Sequence, residues 1–93
     1  MEHGVLFKLG LLTATPGAIE ELTKAEQFPQ EFLSRHSRGD WGEMQEEDEK
    51  ANDLAVMDGS RVFSAYLLRT GVKIWVITEA GRHNTCILLP DEY

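Results

Sequence analysis

A second cysteine is missing: Cys86 stands alone, so an internal disulfide framework is excluded and a reducing compartment is expected. Long apolar runs are also absent. The most apolar stretch, residues 5–13, is far shorter than the roughly 20 residues a membrane span requires, and no basic stretch leads into an apolar run near the N-terminus. The chain therefore reads as soluble and cytoplasmic, with no membrane partner. Positive charge is scarce, at 9 Lys and Arg against 16 Asp and Glu, a formal net charge of −7. Non-specific duplex binding, which depends on neutralising phosphates, is disfavoured by that balance. No Walker loop, G-x-G-x-x-G turn or G-x-S-x-G elbow occurs, so nucleotide cofactors and hydrolase triads have no support. Neither a cofactor nor a metal is expected.

What is present fits one α+β domain over residues 1–93, with a thin but viable core for 93 residues. Residues 5–13 read as a strand with apolar side chains on both faces. Thr15-Pro16 is a helix start, a capping hydroxyl followed by a proline at the first helical position. A second proline-started helix runs from Pro29, with Phe32, Leu33 and His36 on one face. Residues 46–57 read as a third helix with Ala51, Leu54 and Ala55 or Met57 inward, closed by Gly59. The segments 61–69, 72–79 and 84–89 are rich in β-branched and aromatic residues and are joined by hairpin-length connections, so they read as a three-stranded antiparallel meander. Alternation places Ile74 and Val76 on one face of the sheet and Trp75 and Ile77 on the other. Both faces are apolar, which predicts helices over one face and a loop, partner or second subunit over the other.

The charge is local. Residues 40–58 hold eight acids (Asp40, Glu43, Glu46, Glu47, Asp48, Glu49, Asp53 and Asp58) and one base, Lys50, which accounts for the whole −7. One reading is a solvated helix face whose acids complement the helix dipole. The functional reading is an acidic docking surface for a protein partner, built from Asp40, Trp41, Glu43, Glu46, Glu47 and Glu49. Trp41 is costly to expose and serves equally as a plug for the core.

Two constellations suit phosphodiester chemistry. Residues 35–42 gather Arg35, His36, Arg38 and Asp40 on a helix end and its turn, a general base beside cations; as a purely structural group they would satisfy the helix C-terminus. The sheet adds Arg61, Ser64, Tyr66, Thr78, Arg82, His83 and Thr85, in which arginines can hold a phosphate and His36 or His83 can move the proton. Metal ligation is thinly supported, because His3, His36 and His83 are scattered, His83-x-x-Cys86 supplies two ligands, and His36, Asp40 and Glu43 form at best a mixed site.

Leu33 to His36, Gly39-Asp40-Trp41-Gly42, Glu46 to Asp48, Asn52, Arg61 to Tyr66, Lys73 to Ala80, Arg82, Thr85 and Leu88 to Tyr93, together with Ala14 to Ala18, make up a specific set of motifs over nearly the whole chain. In these it resembles a family of small uncharacterised proteins encoded on plasmids and other mobile elements, which implies an accessory protein of such an element. The order of helices followed by a meander is also similar to barnase, colicin and RelE-type nucleases. That resemblance implies metal-independent RNA cleavage, with His36 as general acid or base, Arg61 and Arg82 on the phosphate and Thr85 positioning it. The leading expectation is a non-enzymatic protein-binding module, its own copy being one partner. The alternatives are a ribonuclease, the only case in which nucleic acid is expected, and an acidic mimic that blocks a host nucleic-acid-binding protein.

Overall fold

The computed structural model describes residues 4–93, so His3 lies outside the described residues. The chain runs β1 (Leu11–Ala14), α1 (Pro16–Ala25), α2 (Pro29–Ser37), α3 (Glu46–Asp58), β2 (Val62–Leu67), β3 (Lys73–Thr78) and β4 (Asn84–Leu88), with short 3-10 turns at Ala80–Arg82 and Pro90–Glu92. The strands form one sheet in the order β1-β4-β3-β2. The meander is antiparallel as expected, while β1 joins β4 in parallel, Leu12 opposite Thr85. The result is an α+β fold with an N-terminal strand, three short helices and a mostly antiparallel sheet.

The apolar run at 5–13 is not one strand. Gly10 takes a left-handed conformation, φ +71°, packed against the His83 carbonyl, and the strand begins only after it. Before that break Phe7 turns inward, while Leu11 and Leu12 remain 69% and 50% exposed. Hydrophobicity alone did not distinguish a residue that plugs the core from one on a free edge.

Helix α1 starts where expected, the Thr15 hydroxyl oxygen accepting from the Ala18 N–H at 3.1 Å. Helices α1 and α2 cover one face of the sheet, packing Leu22, Phe32 and Leu33 on Tyr66, Ile74, Val76 and Ile87. A second cluster of Phe7, Trp41, Ala55 and Val62 lies where α3 meets β2.

Helix α3 is rotated from its expected phase. Asn52 and Ala55 face inward, whereas Ala51, Leu54 and Met57 are exposed. The cause is the edge of β2. Asn52 donates from Nδ2 to the Phe63 carbonyl at 2.7 Å and accepts the Phe63 N–H on Oδ1 at 3.1 Å, so its amide stands in for a neighbouring strand. Two residues further along, the Ala65 N–H donates to Trp41 O and Ala65 O accepts from the Glu43 N–H. That bridge brings Gly42, φ +77°, so close to the Ala65 carbonyl that a Cβ there would collide with it. Glycine is thus obligatory in the Asp40–Gly42 turn.

Candidate functional site

Of the residues expected to form a phosphodiesterase site, the fold joins His36, Ser64, Thr78 and Thr85 in a sealed network and leaves Arg61 and His83 outside it. His36, on the last turn of α2, has no exposed surface, and neither do Ser64, Thr78 and Thr85 on the facing strands. The imidazole Nδ1 lies 2.6 Å from Ser64 Oγ and Nε2 lies 2.9 Å from Thr78 Oγ1; Thr78 is 2.6 Å from Thr85 Oγ1, which donates to the Leu9 carbonyl at 2.7 Å. The direction of each bond as far as Nε2 follows from that last acceptor. A carbonyl only accepts, so the Thr85 proton is committed to Leu9 and Thr78 donates to Thr85. Thr78 then accepts from Nε2–H, and in the neutral ring that burial imposes, Nδ1 accepts from Ser64.

The ring is therefore a neutral Nε2–H imidazole. Burial, reinforced by the nearby Arg82 cation, pushes its pKa down to about 3. Phe7 and Trp41 close over it edge-on, at centroid distances of 5.3 and 6.0 Å. With both nitrogens engaged and no route to solvent, His36 offers neither a base to a substrate nor a lone pair to a metal.

The expected arginines make no hydrogen bond to this network. Arg82 spends its guanidinium on the carbonyls of Ala55 and Ser60, at the C-terminal end of α3 and just beyond it, with Phe7 beneath it. A cation there complements the helix dipole. Arg61 belongs to the other side of the sheet, where it donates to the Tyr93 hydroxyl and lies 5.6 Å from that ring. His36, Arg61, Arg82 and Thr85 do not converge on one open site, so the set implied by the nuclease resemblance is replaced by a structural network. His83 is exposed and Cys86 half-buried, and among the described residues no three His, Cys, Asp or Glu side chains converge as metal ligands.

The acidic set also divides. Trp41 is a core residue, 4% exposed, its indole N–H donating to Asp53 Oδ1 at 3.2 Å; it is removed from the docking surface. Asp40 is held by Arg35 through bonds of 2.7 and 3.3 Å, which draw its pKa below the usual carboxylate value, and its carbonyl accepts from the buried Tyr66 hydroxyl. Glu43, Glu46, Glu47 and Asp48 remain exposed and Glu49 half-exposed.

A groove of about 400 Å³ opens between the N-terminal half of α3 and the second face of the sheet. Glu43 and Asp48 line it from the α3 side, and Arg61, Phe63, Lys73 and Trp75 line it from the sheet. Alternation places these aromatics opposite the helix-covered face. Their rings pack at 4.7 Å, and Tyr93 meets Trp75 edge-on at 5.7 Å. This side of the sheet has no helical layer, yet the chain's own aromatics help to keep Ile77 and Leu88 almost fully buried. The sequence pattern located Trp75 on the second face, but nothing in it indicated that α3 would stand beside that face. The one local signal was Asn52, a poor helix former placed mid-helix.

Fold and site together define a small α+β protein with a helix-covered face, a sealed polar core and an open acid-walled groove. No family model, curated protein or solved structure matches the chain. Among the described residues no helix is long and apolar enough to cross a membrane.

Proposed function

We propose that the chain is a non-enzymatic protein-binding module, an accessory protein of a plasmid or other mobile element, whose groove holds a basic segment of a partner protein. The observation that carries this reading is that the acidic 40–58 segment and the open sheet face form two walls of one groove. A Lys or Arg side chain entering it would meet the Glu43 and Asp48 carboxylates and the aromatic surface of Trp75, a combination suited to ion pairing and cation–π contact. Glu46, Glu47 and Glu49 extend the negative field along the first turn of α3 and favour encounter with cationic partners. Lys73, which lines the groove from β3, suits an acidic residue of the same segment. The burial of His36 further supports binding over catalysis.

Trp75 is the natural reporter. Titration with a peptide combining Arg or Lys with an apolar residue is expected to change Trp75 emission saturably and to weaken with salt. Glu43→Lys combined with Asp48→Lys should abolish the response while leaving the far-UV circular dichroism unchanged. A Trp75→Phe control assigns the signal. No response to the basic peptide, or a saturable response only to a single-stranded oligonucleotide, overturns the reading.

A further inference from the structure

The two edges of the sheet are treated in opposite ways. At the β2 edge the outward backbone groups of Phe63 and Ala65 are satisfied by Asn52, Trp41 and Glu43. At the β1 edge, Leu11 N–H donates to His83 O and Thr15 N–H to Ile87 O, so alternation turns the N–H and C=O of Leu12 and Ala14 away from β4. Among the described residues no backbone hydrogen bond outside the sheet reaches Leu12 or Ala14. The strand itself, Leu-Leu-Thr-Ala, is only four residues long but carries no charge, proline or bulge, three of the devices that guard edges against pairing.

We infer that β1 is a self-association edge, pairing antiparallel with β1 of a second copy about a two-fold axis at Thr13 to extend the sheet across both molecules. In that register Leu12 and Ala14 exchange both backbone bonds with Ala14 and Leu12 of the second copy, and the two Thr13 residues face each other as a non-hydrogen-bonded pair. An isologous interface requires only that the segment complement itself, which this uncharged tetrapeptide does. The charge distribution favours a second copy as well. The acidic 40–58 segment lies against β2, three strands from β1 and thus about 14 Å away across the sheet, so pairing at β1 keeps the two acidic segments at opposite ends. The paired segment is short, and the association is expected to be weak and concentration-dependent.

Size-exclusion chromatography with light scattering over a concentration series is expected to show a dimer whose fraction rises with concentration. Leu12→Lys should make it monomeric. Leu12→Pro, which removes the outward N–H and spares the bonds to β4, should do the same, each with an unchanged far-UV spectrum. In a Cys86→Ser background, Thr13→Cys should cross-link on oxidation, since a facing non-hydrogen-bonded pair sits about 4.5 Å apart at Cα, within disulfide reach. Glu43→Lys, which alters the groove, should leave the dimer intact, so failure here and failure of the binding reading are separable. A wild-type chain that is monomeric throughout, a dimer that survives both Leu12 variants, the absence of the cross-link, or pairing of β1 only with foreign strand peptides would each overturn the proposal.

Discussion

The two faces of the sheet are made by alternate residues of the same strands and serve opposite ends. On the helix-covered face, Ser64, Thr78 and Thr85 join His36 in a network with no exposed surface, and among the described residues no buried side-chain nitrogen or oxygen lacks a partner. On the other face, Phe63 and Trp75 are only partly covered and are bordered by Arg61, Lys73, Glu43 and Asp48. The residue types most suggestive of catalysis are thus the most completely spent on structure. The second face, which the apolar alternation of Trp75 and Ile77 marked as needing a cover, is the one left partly open.

The largest effect is expected from His36→Ala. It opens a cavity and strands the hydroxyls of Ser64 and Thr78, so a loss of about 3–5 kcal/mol is expected in urea unfolding. An enzyme whose His36 faced substrate would show little change in stability, and that result would break the contrast between the faces. Acid should act on the same network. A histidine whose folded pKa lies near 3, against 6.5 for the unfolded chain, contributes stability that is fully present above pH 6.5 and is lost as pH falls toward 3. By linkage the loss at pH 5 is about 2 kcal/mol. Asp40, with its pKa lowered first by its hydrogen bond to Arg35, weakens the fold in the same direction but only as pH drops below the ordinary carboxylate range. A thermal midpoint flat from pH 7 to 5 would contradict the sealed, neutral imidazole.

Asn52→Ala should cost about 1–3 kcal/mol, because both backbone groups of Phe63 lose their partner; accelerated hydrogen exchange at the Phe63 amide would localise the damage to the β2 edge. Thr15→Ala should cost about 1 kcal/mol by removing the cap of α1. At the small end, Lys73→Glu and Glu43→Lys are expected to shift stability by no more than about 0.5 kcal/mol while altering peptide binding in the groove. A large destabilisation from either would mean that the open face is as structural as the closed one.

Much of the fold could be read in advance from particular residues. Thr15-Pro16 and Pro29 marked the starts of α1 and α2, Gly59 marked the end of α3, and the spacing of β-branched residues located β2, β3 and β4 and assigned Ile74 and Trp75 to opposite faces. These are local signals: caps, turns and period-two patterning act within a few residues of the chain. The site was less legible. His36, Arg61, Arg82 and Thr85 share the chemistry of a phosphodiesterase, but whether they converge depends on contacts between distant segments. Leu54 and Met57 were expected inside because apolar periodicity sets a helix phase only when burial drives it. Here the phase of α3 is set by hydrogen bonds from Asn52 to the edge of β2.

By itself the sequence determined the three helices, the antiparallel meander, the order of the elements and the confinement of negative charge to residues 40–58, all properties of composition and short-range pattern. Only the tertiary structure decided that β1 pairs in parallel with β4, that His36 is sealed among hydroxyls, that Trp41 fills the core, and that the acidic helix stands beside the open sheet face. Each of those outcomes joins segments separated along the chain by tens of residues. Their physical origin is the need to bury apolar surface while leaving no backbone or side-chain polar group unpaired, a condition that the whole molecule satisfies at once.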